Sequence, residues 1–204
     1  MQSNNNVDQN EDNILGYTLA LDNFDIQLVK GELHKETSDV IVNLNDEKLS
    51  CTNISSQKLI KAEDYQIIGS CAKFMNERSY STLATGLVVD TKEKGSMNCK
   101  VLLHSIGLQK DSTEAEVSKQ IATILRKANI EYMNTISMPI LVNEPATKLE
   151  RTVFFKMLPK VCAAFSKDGK KSVKVIRIVS DDIETLNEAT NELEDWKQIP
   201  ASLF

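Results

Sequence analysis

Residues 39–44 read Asp-Val-Ile-Val-Asn-Leu, with Val40, Ile41 and Val42 side by side and no polar residue between them. A strand with one wet face alternates apolar and polar residues, so an unbroken β-branched run marks a strand covered on both faces. A sheet containing such a strand needs helices on either side. The chain supplies them. Strand-like runs occur around residues 18–21, 26–30, 85–91, 99–107, 135–141 and 171–180, each bounded by polar residues, glycine or proline. Between them lie helical spacings: Leu59, Ile60, Ile67, Ile68, Cys71 and Phe74 in one region, with Asp64 opening a second helix, and Val117, Ile121, Ile124, Leu125 and Ala128 in the next. Thr113 with Glu116, and Thr147 with Glu150, have capping-box spacing. Pro159 should kink or divide the helix that Thr147 opens. Asp181 and Glu184 open a last helix through Leu186, Ala189 and Leu193. The expected fold is a three-layer α/β/α sandwich with a mixed central sheet, and such folds bind ligands at the carboxyl ends of their strands.

With 204 residues the chain is long enough for one sizeable core, and we expect a flexible polar tail over residues 1–13 followed by a single domain over 14–204. The net charge of −5 leaves no global attraction for nucleic acid or an anionic membrane. No apolar run reaches the roughly 18 residues of a membrane span, and the polar N-terminus is not a secretory signal. Cys51, Cys71, Cys99 and Cys162 form no CxxC pair, which suits reduced thiols in a cytoplasmic or nuclear protein. Only His34 and His104 are present, so a histidine-rich metal cage is ruled out. Cys51 has no histidine near it in sequence, which argues against a Cys-His nucleophile. Neither a metal nor a cofactor is expected.

The ordered series VKGEL, DVIVNLND, TGLVVDT, CKVLLHSIG and TISMPIL resembles the macrodomain family, and in particular the divergent macrodomains found in tandem in macrodomain-containing ADP-ribosyltransferases. The resemblance runs from about residue 22 to 185 and implies an ADP-ribose-binding module. An acidic residue after the first glycine accepts a hydrogen bond from the adenine amino group in that family, and Glu32 follows Gly31 here. Asn43, Asn45 and Asp46 fall where the family contacts or braces the distal ribose; asparagine offers donor and acceptor together without charge.

Both phosphate loops depart from the family pattern. Its first loop is a glycine run followed by valine, whose backbone N–H groups face the diphosphate. Here Cys51, Thr52 and Asn53 stand in place of the glycines, Ile54 in place of the valine, and Ser55 where hydrolytic members carry an aspartate. The second loop, normally a glycine-threonine-glycine turn, reads Ile140, Leu141, Val142, Asn143, Glu144, Pro145. The resemblance therefore implies a non-catalytic module, a weak or altered reader of ADP-ribose or ADP-ribosylated protein, with phosphates near residues 51–56 and 140–144. The alternative is a macrodomain scaffold without nucleotide binding that serves protein–protein interaction. Third comes an ADP-ribose hydrolase with Asp46 as its carboxylate.

Overall fold

The structure, a computed structural model, describes residues 14–21, 23, 25–60, 65–109, 112–142, 145–167 and 171–198. The proposed N-terminal tail, Asp64, the Asn143–Glu144 pair and the last six residues lie outside that set. Seven strands, β1 (Ile14–Ala20), β2 (Asp25–Lys30), β3 (Val40–Asn45), β4 (Val88–Asp90), β5 (Val101–Ile106), β6 (Thr135–Met138) and β7 (Val175–Ser180), form one sheet in the order β1-β2-β7-β6-β3-β5-β4. The five inner strands run parallel, and β1 and β4 close the two edges antiparallel.

The residues of β3 explain its central place. Side chains of a strand alternate between faces. Val40 and Val42 enter the core beneath α3 (Glu114–Ile130), α4 (Lys148–Lys167) and α5 (Ile183–Lys197), while Ile41 joins the core beneath α1 (Ile54–Ile60) and α2 (Tyr65–Glu77). All six residues of β3 are buried. The expected sandwich is what these layers form.

Both anticipated capping boxes are made. Thr113 N donates to Glu116 Oε2 at 2.7 Å and Glu116 N to Thr113 Oγ1 at 3.3 Å; Thr147 and Glu150 repeat the pattern at 2.6 and 3.3 Å. Two local expectations give way. Pro159 does not divide its helix, which runs as one element from Lys148 to Lys167. Proline costs a helix interior about 3 kcal/mol, but its neighbours Phe154, Phe155, Leu158 and Cys162 are all fully buried, each such apolar side chain contributing roughly 1.5–3 kcal/mol. Packing on the sheet wins. The cap of α5 is Asp182, one residue later than expected, accepting from Glu184 N and Thr185 N, while Asp181 reaches across to Lys58.

Candidate functional site: a cleft and a buried polar network

A cleft of about 210 Å³ opens at the carboxyl ends of β2, β7 and β6. Gly31 and Glu32 form one side, Leu59 and Lys58 of α1 another, and Ile140, Val142 and Val179 supply apolar walls. Glu32, 39% exposed at its side chain, pairs with Lys35 at 2.5 Å and lies 3.9 Å from His34 Nε2. The hydrogen bond from Lys35 holds its carboxyl below the usual range, with the Lys35 charge assisting. Across the mouth, Lys58 Nζ meets Asp181 Oδ2 at 2.5 Å, joining α1 to the turn after β7. Arg151 stands at the far wall, donating to Glu188 Oε2 and to the Ala146 carbonyl, each at 2.8 Å.

The sequence-expected residues divide into three groups. Glu32, Ile140 and Val142 come together in the cleft. Leu141 is fully buried in the core beneath α3 and α4, its carbonyl accepting from Leu108 N at 3.4 Å.

A second group forms the turn after β3. Asp46 Oδ1 accepts from Lys48 N at 2.8 Å and Ser50 N at 3.1 Å, and Oδ2 accepts from Ser50 Oγ and from Thr52 Oγ1, the latter at 3.3 Å. Burial pushes the Asp46 carboxyl up, but these donors together outweigh it and leave the group below its ordinary range. Asn53 Oδ1 accepts from Ser56 N at 2.8 Å and its Nδ2 donates to the Leu44 carbonyl at 2.9 Å, so it fastens the start of α1 to β3. Ile54 is 57% exposed, and Ser55 follows it in the first turn of α1. The turn lacks glycine yet keeps a glycine-like backbone: Leu49 and Cys51 have φ of 52° and 58°, left-handed values that carry roughly 1–2 kcal/mol per residue for an L side chain.

The third group is a polar network sealed between the sheet and α2. Asn43, Asn45 and His104 are fully buried, on the face of β3 and β5 that carries Ile41 and Leu102. The Asn43 carboxamide lies 3.2 Å from His104 Nδ1 and 3.0 Å from Ser56 Oγ. Asn45 Oδ1 accepts from Asp46 N at 2.9 Å and Cys51 N at 3.0 Å, and its Nδ2 donates to Cys51 Sγ at 3.1 Å. Cys51 Sγ lies 4.0 Å from Cys71 Sγ, which lies 3.7 Å from His104 Nε2. Burial lowers the His104 imidazole to about 4, so it is neutral at physiological pH. The hydrogen bond shared by the two thiols lowers Cys51 and raises Cys71. The thiol–imidazole neighbours are thus Cys71 and His104, a pair hidden in the sequence because one sits on α2 and the other on β5. Lys58, Asp181 and Arg151 were likewise not anticipated in the cleft; the adjacency of β2 and β7 brings the residues after Ser180 beside Gly31.

No known protein-family profile matches the chain. It is similar to the protein mono-ADP-ribosyltransferase PARP14 of Homo sapiens, at 20% identity over 163 residues, which is 80% of this chain and 8% of that protein. The chain therefore spans less than a tenth of the length of that relative. Among solved structures it is similar to the Oceanobacillus iheyensis macrodomain with MES bound, with a TM-score of 0.76 and 16% identity over 89% of this chain and 97% of that one. It is also similar to the Trypanosoma brucei macrodomain in complex with ADP-ribose, with a TM-score of 0.64 and 12% identity over 81% of this chain and 68% of that one.

Proposed function

Because this chain has the macrodomain fold, strongly diverged in sequence, we propose that it is a non-catalytic binding module that takes the adenine end of ADP-ribose, free or carried on protein, in the Glu32 cleft. The observation that carries this reading is the joining of Gly31 and Glu32 to the apolar walls Leu59, Ile140, Val142 and Val179 at the carboxyl ends of parallel strands. A carboxylate beside apolar walls suits a purine: the flat ring is desolvated between the walls while its exocyclic amine donates to Glu32. The cleft's 210 Å³ falls short of the roughly 300–1,000 Å³ of pockets that enclose a drug-sized ligand. It holds the base, and the diphosphate extends toward Lys58 and the turn over residues 46–53.

The turn supports the non-catalytic part of the proposal. Asp46 accepts four hydrogen bonds within its own loop, which occupies the lone pairs that a water-activating base needs free. The four cysteines are free thiols, as a cytoplasmic or nuclear location would leave them.

Calorimetric titration with ADP-ribose tests the reading. Binding in the micromolar range, weakened tenfold or more by Glu32→Ala, is the expected result. No heat up to about 1 mM ligand, where binding is worth only about 4 kcal/mol, overturns it and turns attention to the scaffold alternative. One observation favours that alternative: a larger groove, about 390 Å³, lies along the β4 edge, with Val88, Phe74 and Met133 beneath and Ile130 at its rim.

A further inference from the structure

We propose that Cys51, Cys71 and His104 are the three protein ligands of a buried metal site whose donor set selects zinc. The two sulfurs are 4.0 Å apart, Cys71 Sγ is 3.7 Å from His104 Nε2, and all three donor atoms lie within 4.8 Å of one another. A zinc ion sits about 2.3 Å from sulfur and about 2.0–2.1 Å from imidazole nitrogen, so tetrahedral ligands stand about 3.8 Å (S to S) and about 3.6 Å (S to N) apart. The two separations that involve Cys71 are already within a few tenths of an ångström of that arrangement. A disulfide would need the sulfurs to close to about 2.05 Å and would leave the imidazole's position unexplained.

Charge balance points the same way. Cys71 and His104 are fully buried and Cys51 nearly so. Binding releases the two thiol protons to solvent, and two thiolates with one dication sum to zero, which is the condition for burying charge without a large desolvation loss. Soft sulfur donors with one imidazole favour zinc over the oxygen-seeking magnesium and calcium.

The surrounding groups prepare the ligands. Ser56 has one hydroxyl proton and two oxygens in reach, the Leu44 carbonyl at 2.5 Å and the Asn43 carboxamide at 3.0 Å. The proton goes to the shorter contact. Ser56 Oγ must then accept from Asn43, which turns the Asn43 amide nitrogen toward Ser56 and its oxygen toward His104 Nδ1. Asn43 then offers Nδ1 an acceptor at 3.2 Å, closer than the Asn45 amide nitrogen at 3.4 Å, and a ring proton on Nδ1 leaves Nε2, 3.7 Å from Cys71 Sγ, with its lone pair. Asn45, whose oxygen is fixed by two backbone donors, presents its amide nitrogen to Cys51 Sγ at 3.1 Å and to His104 Nδ1 at 3.4 Å, and the first contact steadies a thiolate. Thr91 Oγ1 lies 3.4 Å from the same ring nitrogen, His104 Nε2. The ion would join the turn after β3, α2 and β5, and would hold Cys51 in its left-handed conformation.

The test uses the whole chain, stripped by chelator under reducing conditions and reloaded with zinc or cobalt(II). Expected results are one metal ion per chain, a raised unfolding temperature with zinc, and a cobalt spectrum with thiolate charge-transfer and tetrahedral bands. Cys51→Ser should weaken zinc binding at least a hundredfold, His104→Cys should retain a tetrahedral cobalt spectrum, and Cys99→Ser should match the wild type. The proposal is overturned by wild-type protein that takes up no stoichiometric metal, by a cobalt spectrum unchanged in folded Cys51→Ser, or by a Cys51–Cys71 disulfide formed equally fast with and without zinc. Cys71→Ser can unfold the chain, but the wild-type cobalt spectrum decides without it: absence of the thiolate band sinks the site. Each readout is independent of ADP-ribose, so the outcome is separable from that of the cleft.

Discussion

The two faces of the sheet are cut from the same strands but hold different chemistry. Under α3, α4 and α5, β3 and β5 present Val40, Val42 and Leu103 to a cluster that includes the edge-to-face pair Phe154 and Phe155. Under α1 and α2, the alternate positions are Ile41, Asn43 and Asn45 on β3, and Leu102 and His104 on β5. One face is held by non-directional burial, which tolerates change of shape so long as volume is kept. The other is held in part by hydrogen bonds among buried polar groups, which tolerate no missing member. A satisfied network of this kind also fixes one arrangement of its members, which apolar burial alone does not. Its presence beneath the turn after β3 is the reason to look there for a ligand.

The contrast can be broken most forcefully on the apolar face. Phe154→Ala should lower unfolding free energy by about 3–5 kcal/mol, read from urea denaturation as a lower midpoint with an unchanged slope. On the polar face, Asn43→Ala leaves Ser56 and His104 short of a partner and should cost about 1–3 kcal/mol although it removes far less volume; a loss as small as that of an ordinary surface substitution would show that water fills the gap. The turn is sharper still as a probe. Cys51→Gly relieves the left-handed backbone but gives up a nearly buried thiol, and in metal-free protein these effects of about 1 kcal/mol each should nearly cancel, leaving the thermal midpoint within a few degrees. With zinc present the same variant should fall well below wild type.

The smallest expected effect is acid sensitivity at the edge of the polar face. Asp46 has a depressed carboxyl in the folded state, so it adds stability above the unfolded value near 4 and loses it as pH falls through the folded value. The group is partly exposed, so the contribution stays under about 1 kcal/mol. Asp46→Asn should remove that part of the decline below pH 4 while leaving stability at pH 7 lower than wild type; an unchanged acid profile would mean that its turn is formed in the unfolded chain as well.

Most of the architecture was legible because it rests on local periodicity. The run Val40 to Val42 announced a doubly covered strand, and the capping boxes at Thr113 and Thr147 placed two helix starts to the residue. What sequence reading missed was adjacency. Glu32, read from the family resemblance at its neighbour Gly31, lines the cleft, but Lys58, Arg151 and Asp181 come from three other parts of the chain and meet only when β7 inserts between β2 and β6. The Cys71 and His104 pair was hidden for the same reason, its members lying 33 positions apart. Pro159 was read as kinking or dividing its helix, and the division does not occur among its four buried neighbours. Asn43 was read from the family resemblance as a group that touches or braces the ribose; in the fold it is fully buried and bonded to Ser56 and His104.

The Lys58 and Asp181 pair spans the mouth of the cleft with both side chains about half exposed. An ion pair so wet is worth about 0–1 kcal/mol, and at physiological ionic strength the screening length is only about 8 Å. The bar across the opening is therefore one that dissolved ions loosen: raising salt weakens the Lys58–Asp181 contact, while the same ions screen the attraction of Lys58 for a diphosphate. These opposed effects predict an apparent affinity that changes little with ionic strength, a behaviour that would set this module apart from ligand sites whose cations stand unpaired.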